Sequence, residues 1–281
     1  MKLDGQRESD NVEDRRGGLG AKGSIGIGTV VIALVAWYFG IDPQTVLDAA
    51  QVVSPPESRQ SAPQDAPRDE LSVFVARVLA STEDTWEGVF RDGGAGYRAP
   101  KLVLYSGSTP SACGTGQAAM GPFYCPGDEK VYIDLAFYRD LRDRFRAPGD
   151  FAQAYVIAHE VGHHVQKLLG VSAKVDGMRG SVSREQFNRV SVRTELQADC
   201  FAGVWAHRAQ RERGLLEAGD LEEGLAAAAA IGDDRLQRQS GGTVIPDSFT
   251  HGSSAQRVRW FRAGFEGGSL KACDTFAARS P

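Results

Sequence analysis

Histidine, cysteine and net positive charge are all scarce in this 281-residue chain, and each shortage removes a class of function. Thirty-two Lys and Arg against 36 Asp and Glu leave a formal charge of −4 with no basic stripe, so nucleic acid is not an indicated partner. Only four cysteines are present and none forms a C-x-x-C pair, which argues against a cysteine-held metal site. No internal repeat is visible, which leaves no ground for a solenoid or tandem array. Long runs that are both uncharged and strongly apolar are also rare, and Gly23 to Ile41 stands out for that reason.

Those 19 residues would span about 28 Å as a helix, enough for a bilayer core. Arg15, Arg16 and Lys22 precede the run, and Asp42 and Asp48 follow it. By the positive-inside rule residues 1–22 stay cytoplasmic and everything after Ile41 is exported, with Trp37 and Tyr38 at the outer interface. The expectation is a single-pass protein of the inner membrane, anchored through residues 23–41, with an extracytoplasmic or periplasmic domain. A cleaved signal peptide and a buried core helix are the competing readings, the first weakened by the lack of a clear Ala-x-Ala site. Residues 42–68 carry five prolines among Ser, Gln, Asp and Ala, a composition suited to an extended tether. Residues 69–281 then form one domain large enough for a sizeable core.

Of the five histidines, three fall in His159-Glu160-Val161-Gly162-His163-His164. This contains H-E-x-x-H, in which one helical turn brings two imidazoles to one face and leaves a carboxylate beside them to act as general base. Between Phe151 and Leu169 the only other charged residue is Lys167, and Ala154, Ile157, Ala158, Val161, Val165 and Leu168 recur at helical spacing. A mostly buried helix with two histidines and a glutamate needs a compensating partner, and a cation supplies one. The residues at 166 and 169 are Gln and Leu, which excludes the metzincin third ligand, and His164 is rotated about 100° from the ligand face.

A catalytic zinc takes three protein ligands. Glu195 and Asp199 lie four apart in the apolar run Thr194 to Gly203 and therefore share a helix face. Glu195 is the candidate third ligand, and Asp199 the candidate acceptor for the second ring nitrogen of His159. The competing reading pairs these acids with arginines such as Arg193 or Arg208.

The H-E-x-x-H run, the segment Glu195 to Gly203, the N-terminal stretch Lys2 to Arg16 and the tail Phe249 to Arg257 together resemble a family of bacterial, membrane-anchored neutral zinc metallopeptidases over nearly the whole chain. The resemblance implies a Zn²⁺-dependent peptidase of the glutamate-zincin type, acting on protein or peptide, with ligands His159, His163 and Glu195 and with Glu160 as base. His251, in the tail segment, and Arg257 are candidates for stabilising an oxyanion across the cleft. A zinc-stabilised binding module without activity, or an amidase acting on a non-peptide amide, are the alternatives. Oligomeric state is not legible.

All four cysteines follow the apolar run, and their even number favours two disulfides, with Cys113–Cys125 and Cys200–Cys273 the preferred pairing. The expected fold class is α+β and zincin-like, mostly helical with a small sheet. Helices are expected over 69–90, 150–169, 184–212, 217–239 and from Ser254, where Ser253 and Gln256 offer a capping box. Strands are expected over 101–105 and 130–135. The loop from Gln117 to Tyr124 is a candidate edge for an extended substrate.

Overall fold

The computed structural model describes residues 1–16, 69–117, 121–240 and 243–281. The apolar run 23–41 and the tether 42–68 lie outside these residues, and among the described ones no helix is long and apolar enough to cross a membrane. The chain divides into two compact units. One combines Met1–Glu13 with Asp69–Pro281, and the other is Asp14–Arg68.

The first unit is mostly helical with two small sheets. In chain order its described elements are β1 (Val12–Asp14), α1 (Glu70–Asp92), β2 (Lys101–Tyr105), β3 (Ser108–Ser111), β4 (Gly114–Gln117), β5 (Phe123–Cys125), β6 (Lys130–Asp134), α2 (Ala136–Asp143), α3 (Asp150–Leu168), α4 (Val171–Met178), α5 (Arg184–Arg213), α6 (Asp220–Ala230), α7 (Asp233–Ser240) and α8 (Ser254–Gly267). Local chemistry accounts for several boundaries. Asp69 caps α1 by accepting from the Ser72 N–H, and Ser183 with Gln186 and Ser253 with Gln256 form capping boxes on α5 and α8.

The larger sheet has the order β1-β2-β6-β5. β2 and β6 run parallel, with Lys101 opposite Lys130 and Tyr105 opposite Asp134, and β5 lies antiparallel on the far edge. β3 and β4 form a separate hairpin, and the Cys113–Cys125 disulfide ties its tip to β5. The core joins α1, α3, α5, α6 and α8 to one face of the sheet, through Val78, Leu79, Trp86, Leu104, Ile133, Phe151, Phe201, Trp205 and Phe261.

α5 and α8 approach closely at Gly203 and Gly264. A Cβ built on Gly264 would stand 1.9 Å from the Cys200 carbonyl oxygen, and one on Gly203 would stand 2.1 Å from that of Phe261. Only glycine permits this backbone separation. The Cys200–Cys273 disulfide fastens the tail to the same stretch of α5.

Two sequence expectations are corrected. The folded unit does not begin at residue 69. Leu3 is buried in the main core, the Lys2 N–H donates to the Leu215 carbonyl, the Ser9 N–H to that of Ala76, and the Leu102 N–H to that of Asn11. The N-terminal stretch is therefore an edge strand and a core contributor, although its charged composition hides this. The expected helix 217–239 is two helices, because the Asp233 N–H turns to the Gly252 carbonyl and the Asp233 carboxylate accepts from the N–H groups of Thr250, His251 and Gly252. Docking that loop interrupts the helix. The remaining expected helices and the two expected strands are present within two residues at each end.

Candidate metal centre

α3 carries His159, Glu160 and His163, and α5 packs across it with Glu195 and Asp199. Gly162 lies at the crossing, with the Ala198 backbone 3.1 Å from where its Cβ would be. That contact sets the ligand helices at the separation the site requires. The two imidazole centroids are 4.8 Å apart with perpendicular rings. Glu195 reaches both: its Oε2 is 3.2 Å from His159 Nε2 and its Oε1 is 3.5 Å from His163 Nε2. One ligand atom from each of the three lies within 4.8 Å of the others.

The second nitrogen of each imidazole is held by an acceptor. His159 Nδ1 is 2.9 Å from Asp199 Oδ1, and His163 Nδ1 is 2.9 Å from Gln166 Oε1. Both rings therefore donate from Nδ1, and Nε2, which faces Glu195, is the nitrogen that can ligate a metal once its own proton has left. The Gln166 amide is oriented in turn, since its Nε2 donates to the Thr194 carbonyl at 2.6 Å and to Gln197 Oε1 at 3.1 Å. Gln197 then donates to the carbonyl of Cys273. A chain of amides thus connects His163 to the segment fixed by the Cys200–Cys273 disulfide.

Asp199 is fully buried and fully engaged. It accepts from His159, from the Tyr155 hydroxyl, and from Arg257 through Nε at 2.9 Å and Nη2 at 2.8 Å. Burial alone would raise its pKa, but Arg257 and His159 hold it below the usual carboxylate range. The ligands are tuned by the same opposition. Burial disfavours the His159 imidazolium, yet Asp199 and Glu195 raise its pKa to about 10. His163 is likewise raised by Glu195 against burial, and Glu195 is pushed well below its ordinary value by the two imidazoles. Two bases drawn toward positive charge around a permanent anion form a donor set that suits a divalent cation.

Glu160 is buried, lines the cleft, and makes no hydrogen bond or ion pair with a described residue. The cleft has a volume of about 930 Å³, and its walls include Phe123, Tyr124, Phe137, Val156, Ile231 and Leu236 besides the ligands.

The structure sorts the other candidates. His251 lines the cleft, with Nδ1 shared between Thr250 Oγ1 and Asp233 Oδ1, and the Asp233 hydrogen bond raises its pKa against the effect of burial. Arg257 is committed to Asp199 and Tyr155, which removes it as an oxyanion donor and makes it a support of the ligand shell. Arg193 bonds tail carbonyls and Arg208 pairs with Asp92, so neither takes up the acids. His164 turns away from the ligands: its Nε2 donates to the Arg98 carbonyl and its Nδ1 accepts from the Tyr124 hydroxyl. Sequence reasoning missed Tyr155, Gln166 and Gln197. The available signal was spacing, because Tyr155 precedes His159 by four residues and Gln166 follows His163 by three.

Two histidines and a carboxylate converging on one point, with an unengaged glutamate between the histidines, define a helix-borne metalloprotein centre. The chain belongs to the family described as "Putative neutral zinc metallopeptidase", whose profile matches residues 1–276. Its cofactor is accordingly Zn²⁺. Among similar proteins, YpfJ of Escherichia coli is 52% identical over 98% of this chain and 99% of its own length. Protein Rv2575 of Mycobacterium tuberculosis and Mb2605 of Mycobacterium bovis are each 40% identical over 86% of this chain and 85% of theirs. No solved structure matches the chain.

Proposed function

We propose that the chain is a zinc-dependent endopeptidase of zincin type, attached to a membrane through residues 23–41 and working in an oxidising compartment. The observation that carries the reading is Glu160, a buried carboxylate in the cleft beside three convergent ligands, with no hydrogen-bond or ion-pair partner among the described residues. His159, His163 and Glu195 would hold the zinc. When bound, zinc polarises a scissile carbonyl and brings the pKa of water toward neutrality. Glu160 takes the proton from the attacking water and delivers it to the leaving amine. Asp199 and Gln166 keep both Nδ1 atoms as donors, so the ligand nitrogens stay available throughout. His251, which also lines the cleft and is held at Nδ1 by Asp233, donates to the oxyanion from its other ring nitrogen. The two disulfides, Cys113–Cys125 and Cys200–Cys273, support the compartment.

The deciding experiment compares the full-length chain with Glu160→Gln for zinc content and for hydrolysis of an unfolded protein such as casein. The full chain is required because Met1–Glu13 belong to the folded unit. One zinc in each and activity only in the parent is the expected result. Loss of zinc in the variant refutes the role given to Glu160, and zinc in both without activity in either refutes the peptidase reading for that substrate.

A further inference from the structure

A carboxylate buried in the interior of a helix identifies what the fold was built to receive. Glu83 sits on the core-facing side of α1 among Val78, Leu79, Ala80, Trp86 and other apolar neighbours. Its Oε1 accepts from Ser9 Oγ at 2.5 Å and from Asn11 Nδ2 at 2.8 Å, and its Oε2 from Arg7 Nη2 at 2.9 Å. The three donors occupy alternate positions of residues 7–11, which pass through a turn at Asp10 and Asn11 into β1. No donor from residues 69–281 bonds this carboxylate among the described residues. Without the stretch, a buried charge would be left uncompensated, an arrangement that folding strongly disfavours. Arg7 reaches the adjacent Asp84 at 2.6 Å as well, and Leu3 fills part of the same core. Residues 1–13 are therefore an obligatory part of the folded unit.

The consequence concerns the membrane. Charge asymmetry around residues 23–41 reads as one crossing, with residues 1–22 on one side and residues 69–281 on the other. One crossing would separate the two parts by the hydrocarbon core, about 30 Å thick. The contacts just described are 2.5–2.9 Å long. Both cannot hold in one folded molecule. A second crossing has no sequence to make it, since residues 42–68 combine five prolines with Asp42, Asp48, Glu57, Arg59, Asp65 and Arg68.

From this conflict we infer that Met1–Glu13 and Asp69–Pro281 occupy the same side of the membrane, so any hold that the apolar run has on the bilayer begins and ends on the side of the catalytic unit. The inference rests on the packing of residues 1–13 and refines the membrane attachment proposed above without depending on the chemistry of the metal site.

The test is side-specific labelling of the full-length chain in intact spheroplasts. Cysteine is introduced singly at two exposed positions, Asp4→Cys in the N-terminal stretch and Arg262→Cys on α8, the four native cysteines being paired. A membrane-impermeant maleimide is applied before and after permeabilisation. The expected result is the same pattern for both variants. Labelling of both before permeabilisation supports the inference together with export. Protection of both until permeabilisation supports it and overturns export instead. Reaction of one variant with protection of the other overturns it. Leu3→Asp gives an independent check that does not require a membrane: it is expected to lower the thermal midpoint by several degrees and to expose residues 1–13 to protease. An unchanged midpoint and unchanged protease resistance would show that the stretch is not part of the fold, which also overturns the inference.

Discussion

At His163 the second ring nitrogen is held by a neutral amide, whereas at His159 it is held by a carboxylate that also carries Arg257 and Tyr155. The two supports should therefore fail differently. Gln166→Leu removes an acceptor and frees the imidazole to rotate, so zinc affinity is expected to fall about 10- to 100-fold with little change in fold. Gln166→Glu keeps an acceptor for His163 but loses the donor to the Thr194 carbonyl and Gln197, so affinity is expected to fall less than in Gln166→Leu. Competition against a chromophoric chelator distinguishes the two variants. Asp199→Ala strands the buried Arg257 guanidinium, and a loss of about 3–5 kcal/mol in denaturant unfolding is expected even without metal. His159, Glu160, His163 and the Glu195–Asp199 pair were legible in the sequence because each pattern is local to one helix. Gln166 and Tyr155 lie at the same spacings, but an amide or phenol on a helix face carries no signature of its own. Arg257 was read as a possible oxyanion donor because its partner depends on how α8 crosses α5, which spacing does not encode.

Helices and their caps follow from short-range chemistry, and the longer ones were readable for that reason. The five-residue strands β2 and β6 were readable too, but the strands of three and four residues were not. β1 acquires its partner only when residues 11–14 meet β2 some 90 positions later, and three residues carry too little periodicity to declare a strand. The interruption between α6 and α7 was likewise invisible, since it arises from Asp233 gripping a loop 17–19 residues away. That grip has a defined pH dependence. Burial opposes the Asp233 charge, but His251 and the three backbone donors depress its folded pKa. Its contribution is complete above the unfolded value of 3.8 and is lost as pH falls through the lower folded value. Asp233→Asn should therefore cost about 1–3 kcal/mol at pH 7, with the difference from the parent closing below pH 3.8, as read by denaturant midpoints at several pH values. At the α5–α8 crossing, Gly264→Ala forces the helices apart against the Cys200–Cys273 tie. A loss on the order of 3 kcal/mol in unfolding free energy is expected.

For the whole molecule, the metal joins two helices that the core already holds together, so zinc acts as a stabilising ligand of a folded chain. At about a thousand times its dissociation constant it would contribute about 4 kcal/mol, which for a unit of this size is a shift of about 10 °C in the thermal midpoint. Calorimetry before and after chelation, with zinc restored, measures it; an unchanged midpoint would mean that the three ligands do not hold zinc. The mostly helical α+β class was legible from the alternation of helical and strand patterns, but the extent of the folded unit was not. A polar N-terminal stretch resembles a solvated tail until Glu83 is seen to need it. Asp199 shows what such interdependence implies for the metal centre. One carboxylate serves the first zinc ligand, a tyrosine on the same helix and an arginine on α8, so any distortion that slackens the ligands also loosens the packing of three helices. A centre made this way has no part that can be loosened alone. Loss of zinc and loss of helix packing are therefore expected to accompany one another.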